Sequence, residues 1–499
     1  MKAVEFWAAW RNTLIVGGGS IACAVPLALL IAFLLLRTNV VGRRIAWIAV
    51  ASQLIVPLYA LVGAWSAGFG TLGWWPLAQA SAIGSYPHSI AAVTFIHAVA
   101  AIPGCVLILS CGMLWSDRST EELAMLEGGI PYLWRYALLP GLLPWMACAC
   151  LWTMIPIMTE MVVTNLYRVS TLAEQVYLDI SLGTMNSLTI FTAIVGSLVP
   201  LLIAALLVAR SLPDWSSAPE QLKASQSFAI DLRGKRWAAS LLLWLIVGAL
   251  TLVPIANLIY KAGWQTIPIG PDELTHRWSL YRFGLTCMTT LTEYTDAYRW
   301  TAVLALGSTF TALSISILLR MWLTSPRSRA VMHFFCMALI AVPGPIVGLI
   351  ITKLFLDLSI PGMSRLYDHT MLGPILAQQA RLLPTAWLMT CGIVGSIPRT
   401  AWELAALDGL SRREKFRVVL WPETRSLWLL SALLLCALSA GELSTHLLLL
   451  PPGVTTVSQR LFELLHFGMR YEDSGLCLLL IAVGWLIAAA AWKTRFGFK

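Results

Sequence analysis

Two sets of carboxylates stand out in a sequence that is otherwise mostly apolar. Glu160 and Glu442 follow long apolar runs, whereas Glu122 and Glu403 lie in short polar inserts. A carboxylate at membrane depth is costly and often functional, because it can attract a cation or carry a proton. A carboxylate in the first turn of a surface helix instead stabilises the positive end of that helix. The first set could therefore act on a transported cation, and the second set has a structural role.

Glu160 and Glu442 have a second interpretation that the sequence leaves open. Each could be a hydrogen-bond partner in helix packing, or could lie at the level of the lipid headgroups. His97 and Arg381, which lie on equivalent apolar runs, are interpreted as packing or boundary residues rather than as ligands of a substrate. Two positions, Glu160 and Glu442, thus remain as a candidate translocation path.

The elements that must position these residues are membrane helices. Of the 499 residues, 58% are hydrophobic and only 12% are charged, and the mean hydropathy is +0.76. A soluble domain carries about 25% charged residues, and a spanning helix needs about 20 apolar ones. The sequence therefore predicts an all-α polytopic membrane protein with about 11 transmembrane helices. The predicted segments are 13–36, 45–67, 89–115, 139–160, 187–209, 237–260, 300–319, 331–352, 372–396, 426–449 and 475–492.

The basic residues predict the orientation of the chain. Most of the 34 Lys and Arg residues lie in one set of loops and in the C-terminal tail. Such residues are enriched on the cytoplasmic side, so we expect both inserts and the carboxyl terminus there, and the amino terminus outside. The net charge of +9 follows from this bias and from contact with anionic lipid. It does not indicate nucleic-acid binding.

The chain is interpreted as a duplication with two parallel repeats. The numbering offset of 281 that relates Glu122–Gly128 to Glu403–Gly409 also relates Pro103 to Pro384. The second half has an extra apolar segment before its repeat, so the first half either lacks one terminal helix or has a start codon placed too late. The predicted divisions are a first repeat at 11–209, a cytoplasmic linker at 210–236, an extra transmembrane helix and outer loop at 237–298, and a second repeat at 299–493.

Each insert is predicted to form a short helix that ends at a glycine. Ser119 with Glu122 and Thr400 with Glu403 have the spacing of capping boxes, in which hydroxyl and carboxylate satisfy the first amides of a helix. The glycine of each insert, Gly128 or Gly409, would permit the left-handed residue that commonly ends a helix. Small apolar residues lie between cap and glycine. The inserts are therefore expected to be compact helical projections that dock into a cleft on another protein.

The sequence offers no sign of catalysis. It contains no Gly-x4-Gly-Lys-Ser/Thr motif and so no P-loop of that kind. Its ten cysteines lie singly in apolar segments and form no metal or disulfide framework. We therefore expect no enzyme activity, no metal site and no cofactor bound by this chain.

The inserts resemble the EAA motif of the permease subunits of ABC importers. The residues that carry the resemblance are Glu122, Ala124, Gly128 and Pro140 in the first insert and Glu403, Ala405, Ala406, Gly409 and Pro422 in the second. Leu404 stands where the family has its first alanine, and the distance from glycine to proline is one residue shorter in the first insert. The resemblance covers nearly the whole chain and is greatest to the iron(III) and thiamine type of fused two-copy permease.

This resemblance implies a fold, a function and partners. The fold would be two repeats of the type I importer (MetI-like) permease in a bacterial plasma (inner) membrane. The inserts would couple the chain to ABC ATPase subunits, in two copies, which use the ATP, and an extracytoplasmic solute-binding protein would deliver ferric iron or another small cation or solute. The alternative from the residues alone is an ion-coupled secondary transporter that uses Glu160 and Glu442.

Overall fold

The structure, a computed structural model, describes residues 3–70, 73–75, 86–184, 187–211, 230–268, 274–357, 361–467 and 471–496. Its secondary structure is almost entirely helical, as the apolar segments predict. The helices of the first half are α1 (Ala3–Arg37), α2 (Arg43–Gln53), α3 (Leu58–Phe69), α4 (Tyr86–Leu114), α5 (Arg118–Tyr132), α6 (Leu139–Thr159), α7 (Val162–Leu166), α8 (Leu172–Ser181) and α9 (Ser187–Ser211).

The second half contains the remaining helices and one small sheet. Its helices are α10 (Arg236–Ala262), α11 (Leu280–Glu293), α12 (Thr295–Trp322), α13 (Pro326–Ala341), α14 (Gly344–Leu356), α15 (Met363–His369), α16 (Leu372–Gly395), α17 (Arg399–Leu407), α18 (Arg412–Lys415), α19 (Trp421–Gly441), α20 (Val457–His466) and α21 (Tyr471–Phe496). Strands β1 (Trp264–Pro268) and β2 (Leu274–Trp278) pair antiparallel, with Trp264 opposite Trp278. Part of the predicted outer loop is thus folded as a hairpin followed by a helix.

The structure supports a range for the number of membrane-spanning helices rather than the predicted number of eleven. Among the described residues, six helices are long and apolar enough to cross a membrane, and the number rises to nine if each of three bent pairs is one span. Each predicted segment overlaps at least one helix, but 426–449 extends beyond α19, which ends at Gly441. The structure therefore confirms an all-α architecture compatible with several membrane crossings.

Two predicted spans are broken rather than continuous. Segment 45–67 divides into α2 and α3, bent by 106°, and segment 331–352 divides into α13 and α14, bent by 100°. Pro57 and Pro343 stand directly before the second helix of each pair, with extended backbone angles. A proline lacks the N–H that a continuing helix requires. The two breaks occupy matching places in the halves because each follows the same kind of apolar run ending in proline.

The two halves pack their long helices in the same pattern. In the first half α1 packs against α4 and α4 against α6, and in the second half α12 packs against α16 and α16 against α19. Helix α10 lies outside this pattern and packs against α3 and α21. Most of the linker lies outside the described residues, but its end is fixed, because the Ile230 amide donates to the Arg37 carbonyl at 2.9 Å.

Helices α6 and α19 match in detail and connect the inserts to Glu160 and Glu442. Both have 21 residues and carry a proline in the first turn, Pro140 or Pro422. A π-helical segment precedes each, Leu133–Leu138 and Phe416–Leu420. The wider π turn makes room for the proline ring, which would otherwise clash with the carbonyl one turn earlier. At 1.5 Å per residue each helix is about 30 Å long.

Candidate functional site

The second insert ends with the left-handed glycine that the sequence predicts. Gly409 has φ +68°. The Leu410 amide donates to the Ala405 carbonyl at 3.2 Å, and the Gly409 amide donates to the Ala406 carbonyl at 3.1 Å. This pair of hydrogen bonds is a Schellman motif. Helix α17 therefore has a defined end, and its direction depends on the backbone angle of one glycine.

The first insert uses a different glycine from the predicted one. Gly129, with φ +68°, adopts the left-handed conformation, whereas Gly128 does not. Gly128 instead leaves room for the Tyr132 ring, which a Cβ atom at that position would meet. The prediction for Gly128 was wrong because two adjacent glycines fit the same pattern, and only the backbone path distinguishes them.

The predicted capping boxes are also displaced. Helix α17 follows Pro398 and has no side-chain cap. The reciprocal pair lies beyond the glycine, where the Ser411 amide donates to Glu414 Oε2 at 2.8 Å and the Glu414 amide donates to Ser411 Oγ at 3.4 Å. Glu403 is exposed and does not close a box.

At the start of α5 the cap is Asp117 rather than Ser119. The Thr120 amide donates to the Asp117 carboxylate at 3.2 Å. Hydrogen bonds from the hydroxyl of Ser119 and from Thr120 lower the pKa of the Asp117 carboxyl below its usual range. Ser119 was the wrong choice because the helix already begins at Arg118, so Asp117 occupies the cap position and Ser119 lies within the first turn.

Each insert helix exposes two leucines, which belong to the short apolar face that the sequence predicts for the insert. Leu126 and Leu407 are 87% and 83% exposed, and Leu123 and Leu404 are also exposed. The offset that relates the inserts relates both pairs. Residues three apart lie on the same face of a helix, and an exposed apolar patch on a polar segment is typical of a protein interaction site. We call these four residues the leucine surface.

The predicted small residues support this surface in different ways. Ala124 and Ala405 are buried, and each lies directly after the first leucine of its pair. Ala406 is exposed beside the second pair. The buried alanines therefore seat each helix against the protein body, while the leucines face outward.

The first insert is fixed to the protein by a buried ion pair. Arg37 Nη2 donates to Glu121 Oε1 at 2.6 Å, and both side chains are almost fully buried. The same guanidinium donates to the carbonyl of Met113 at the end of α4. Glu122, the predicted site residue, instead lies half-exposed and pairs with Arg118 at 2.6 Å. The structure thus assigns the anchoring role to Glu121, and Trp402 occupies the corresponding position in the second insert.

The C-terminal ends of α6 and α19 meet across the two halves. Glu160 and Glu442 are the residues directly after these helices, at their C-cap positions. Glu160 Oε1 accepts hydrogen bonds from the Val162 amide and from Ser444 Oγ of the other half, both at 2.8 Å. Glu442 Oε1 accepts from the Thr445 amide at 3.1 Å. The two predicted carboxylates therefore lie in one region, and part of their hydrogen bonding is structural.

A cavity of about 280 Å³ lies beside these carboxylates. Residues of both halves line it, including Glu160, Glu442, Gln53 and Thr153. His97, interpreted from the sequence as a packing residue, also lines this cavity and is 3% exposed. The cavity brings together polar groups that are far apart in the sequence.

Arg381 has the packing role that the sequence suggested. It donates to the carbonyls of Ile340 at 2.7 Å and Val342 at 2.8 Å, at the break between α13 and α14. The guanidinium is also close enough to Glu442 and Glu160 to attract both electrostatically. Arg381 therefore satisfies the carbonyls that the helix break leaves free and partly compensates the charge of the carboxylates.

Within the described ranges, no group of three or more His, Cys, Asp or Glu residues is placed to hold a metal ion. No known family model matches this chain, and no curated protein matches it significantly. The leucine surface and the carboxylate cavity are thus the two features from which a function can be argued.

Proposed function

We propose that this chain is the membrane-spanning permease subunit of an ATP-driven ABC importer. One observation carries the proposal: two insert helices at corresponding places expose the same pair of leucines over a buried alanine. A pair of equivalent apolar surfaces suits a partner that is present in two copies. The resemblance of both inserts to the EAA motif supports ABC ATPase subunits as that partner.

The proposed mechanism is alternating access driven from the inserts. When ATP brings the two ATPase subunits together, they move the two insert helices that carry the leucine surface. Helices α6 and α19 carry this motion over about 30 Å to the cavity beside Glu160 and Glu442. The insert residues transmit force and perform no chemistry, and ATP is bound and hydrolysed by the partner.

The remaining parts of the proposal follow from the same resemblance. A solute-binding protein would deliver the substrate on the side of the cavity, in a bacterial plasma (inner) membrane whose lipid surrounds the helices. The transported solute would be ferric iron or another small cation or solute. Glu160 and Glu442 would line the translocation path through which it passes.

Leu404→Ser combined with Leu407→Ser should abolish co-purification of the ATPase subunits while leaving the protein folded. Loss of a central apolar anchor of an interface costs about 2 kcal/mol or more, or roughly a 30-fold loss of affinity. Both leucines are exposed, so their replacement removes little packing. The measurement is the amount of ATPase retained on the tagged permease after purification from the membrane.

Leu182→Ser is the matched control for this experiment. Leu182 is 73% exposed but lies after α8, on the side of the predicted binding protein. It should retain the full amount of ATPase. Normal ATPase retention by the double variant would contradict the proposal, as would equal losses in the double variant and the control.

The ion-coupled secondary transporter remains the second candidate, because Glu160 and Glu442 line the same cavity. Glu160→Gln combined with Glu442→Gln should reduce uptake by roughly tenfold and leave ATPase retention unchanged, since Gln preserves volume and hydrogen bonding but removes charge. Uptake of the solute should be measured in liposomes that contain permease, ATPase and the solute-binding protein, with and without ATP and with a protonophore. Uptake that needs no ATP and collapses with the protonophore would favour the secondary transporter.

A further inference from the structure

The charge around the cavity is not balanced. Glu160 and Glu442 line it, and among its described lining residues none is Lys or Arg. Arg381 attracts both carboxylates, but its hydrogen bonds go to backbone carbonyls. When both carboxylates are ionised, they and the one guanidinium leave one negative charge. A single monovalent cation in the cavity would neutralise it.

Two buried polar atoms beside the cavity have no partner. Glu160 Oε2 and His97 Nε2 are both buried without a hydrogen bond, although Glu160 Oε1 has two donors. Buried polar atoms are satisfied in the great majority of cases, so an orphan requires an explanation. Both residues line the same cavity. An N–H donor on a ligand in the cavity could satisfy either atom.

The rest of the cavity suits an apolar body. Its walls include Val99, Ile102, Val247 and Leu250, with the Trp152 indole beside them. Binding sites for small molecules are typically apolar with a few converging polar groups. An indole face additionally attracts an organic cation. These walls favour a cation that carries an apolar group over a bare, strongly hydrated ion.

We propose that this cavity binds one small organic cation, with an ammonium group at the Glu160 carboxylate and an apolar group against the aliphatic walls. The inference rests on the proposed function in one respect, since it treats the bound cation as a representative of the transported solute. Binding itself requires neither the ATPase nor ATP.

The test uses the purified full chain in lipid nanodiscs, with benzylammonium as the probe and benzyl alcohol as its neutral counterpart. Calorimetric titration should show saturable benzylammonium binding with one site per chain and at least tenfold weaker binding of benzyl alcohol. Glu160→Gln should weaken benzylammonium binding by roughly tenfold or more, because it removes a charge-assisted hydrogen bond, and should leave the weak binding of benzyl alcohol unchanged. Glu463→Gln is the control, because Glu463 is half-exposed, pairs with Arg460 and does not line the cavity.

Equal binding of the two probes would overturn the inference, and so would a Glu160→Gln protein that binds benzylammonium normally. If Glu160→Gln does not fold, Glu442→Gln removes the second negative charge and should also weaken binding by about tenfold. Failure of the site and failure of the function are distinguishable. Benzylammonium binding without ATPase retention would leave the site standing and remove the importer, and ATP-dependent uptake without benzylammonium binding would do the reverse.

Discussion

Glu121→Ala should lower the free energy of unfolding by roughly 3–5 kcal/mol, because it leaves the buried Arg37 guanidinium without its carboxylate. The pair is separated by 2.6 Å and is almost completely shielded from solvent. Glu122, the neighbour of Glu121, provides the matched control. Glu122 forms a half-exposed pair with Arg118, so Glu122→Ala should change stability by less than about 1 kcal/mol. The measurement is the unfolding of the purified variants in mixed micelles, followed by intrinsic tryptophan fluorescence.

A third variant separates the loss of charge pairing from the loss of volume. Arg37→Met combined with Glu121→Met removes both charges and keeps apolar volume, and such exchanges are often neutral or stabilising. The double variant should therefore recover most of the stability that Glu121→Ala loses. Similar stabilities for Glu121→Ala and Glu122→Ala would show that Glu121 does not anchor the first insert.

The second large effect is expected at Gly409, where Gly409→Val should abolish ATP-dependent transport in a protein that still inserts into the membrane. Gly409 has φ +68°, a region that β-branched residues avoid. Apart from the adjoining residues, no atom lies within 4 Å of the place that a Cβ atom would take, so the backbone angle and not lack of space is the obstacle. Left-handed geometry costs an L-residue about 1–2 kcal/mol. Helix α17 would end differently, and Leu404 and Leu407 would point elsewhere.

Gly409→Asn distinguishes this cause from a general effect of adding a side chain. Asn tolerates the left-handed region far better than Val does, and the open space accommodates it. The Asn variant should retain ATPase subunits and transport at near the normal rate. If Val is harmless, or if Asn is as damaging as Val, the backbone angle of Gly409 does not control the direction of the insert helix.

The amino-acid sequence by itself determined the class of the protein and the location of its main elements. Long apolar runs predict helices because a buried or lipid-exposed backbone must satisfy its own hydrogen bonds, and each predicted segment overlaps a helix. Gly409 was predicted correctly because it is the single glycine of the second insert, whereas the first insert offers two adjacent ones. The correspondence of Glu160 and Glu442 was visible as a repeat, and the structure places both beside one cavity.

Only the tertiary structure decided which of several similar neighbours has each role. Glu121 and Glu122 are the same type of residue. Glu121 is the buried anchor because it pairs with Arg37, which lies 84 positions before it in the chain. The exposure of Leu126 and Leu407 depends on which face of each short helix the protein body covers. The hydrogen bond from Ser444 to Glu160 joins the two halves. Such contacts depend on distant elements meeting in space, and local patterns of residue type carry no information about that meeting.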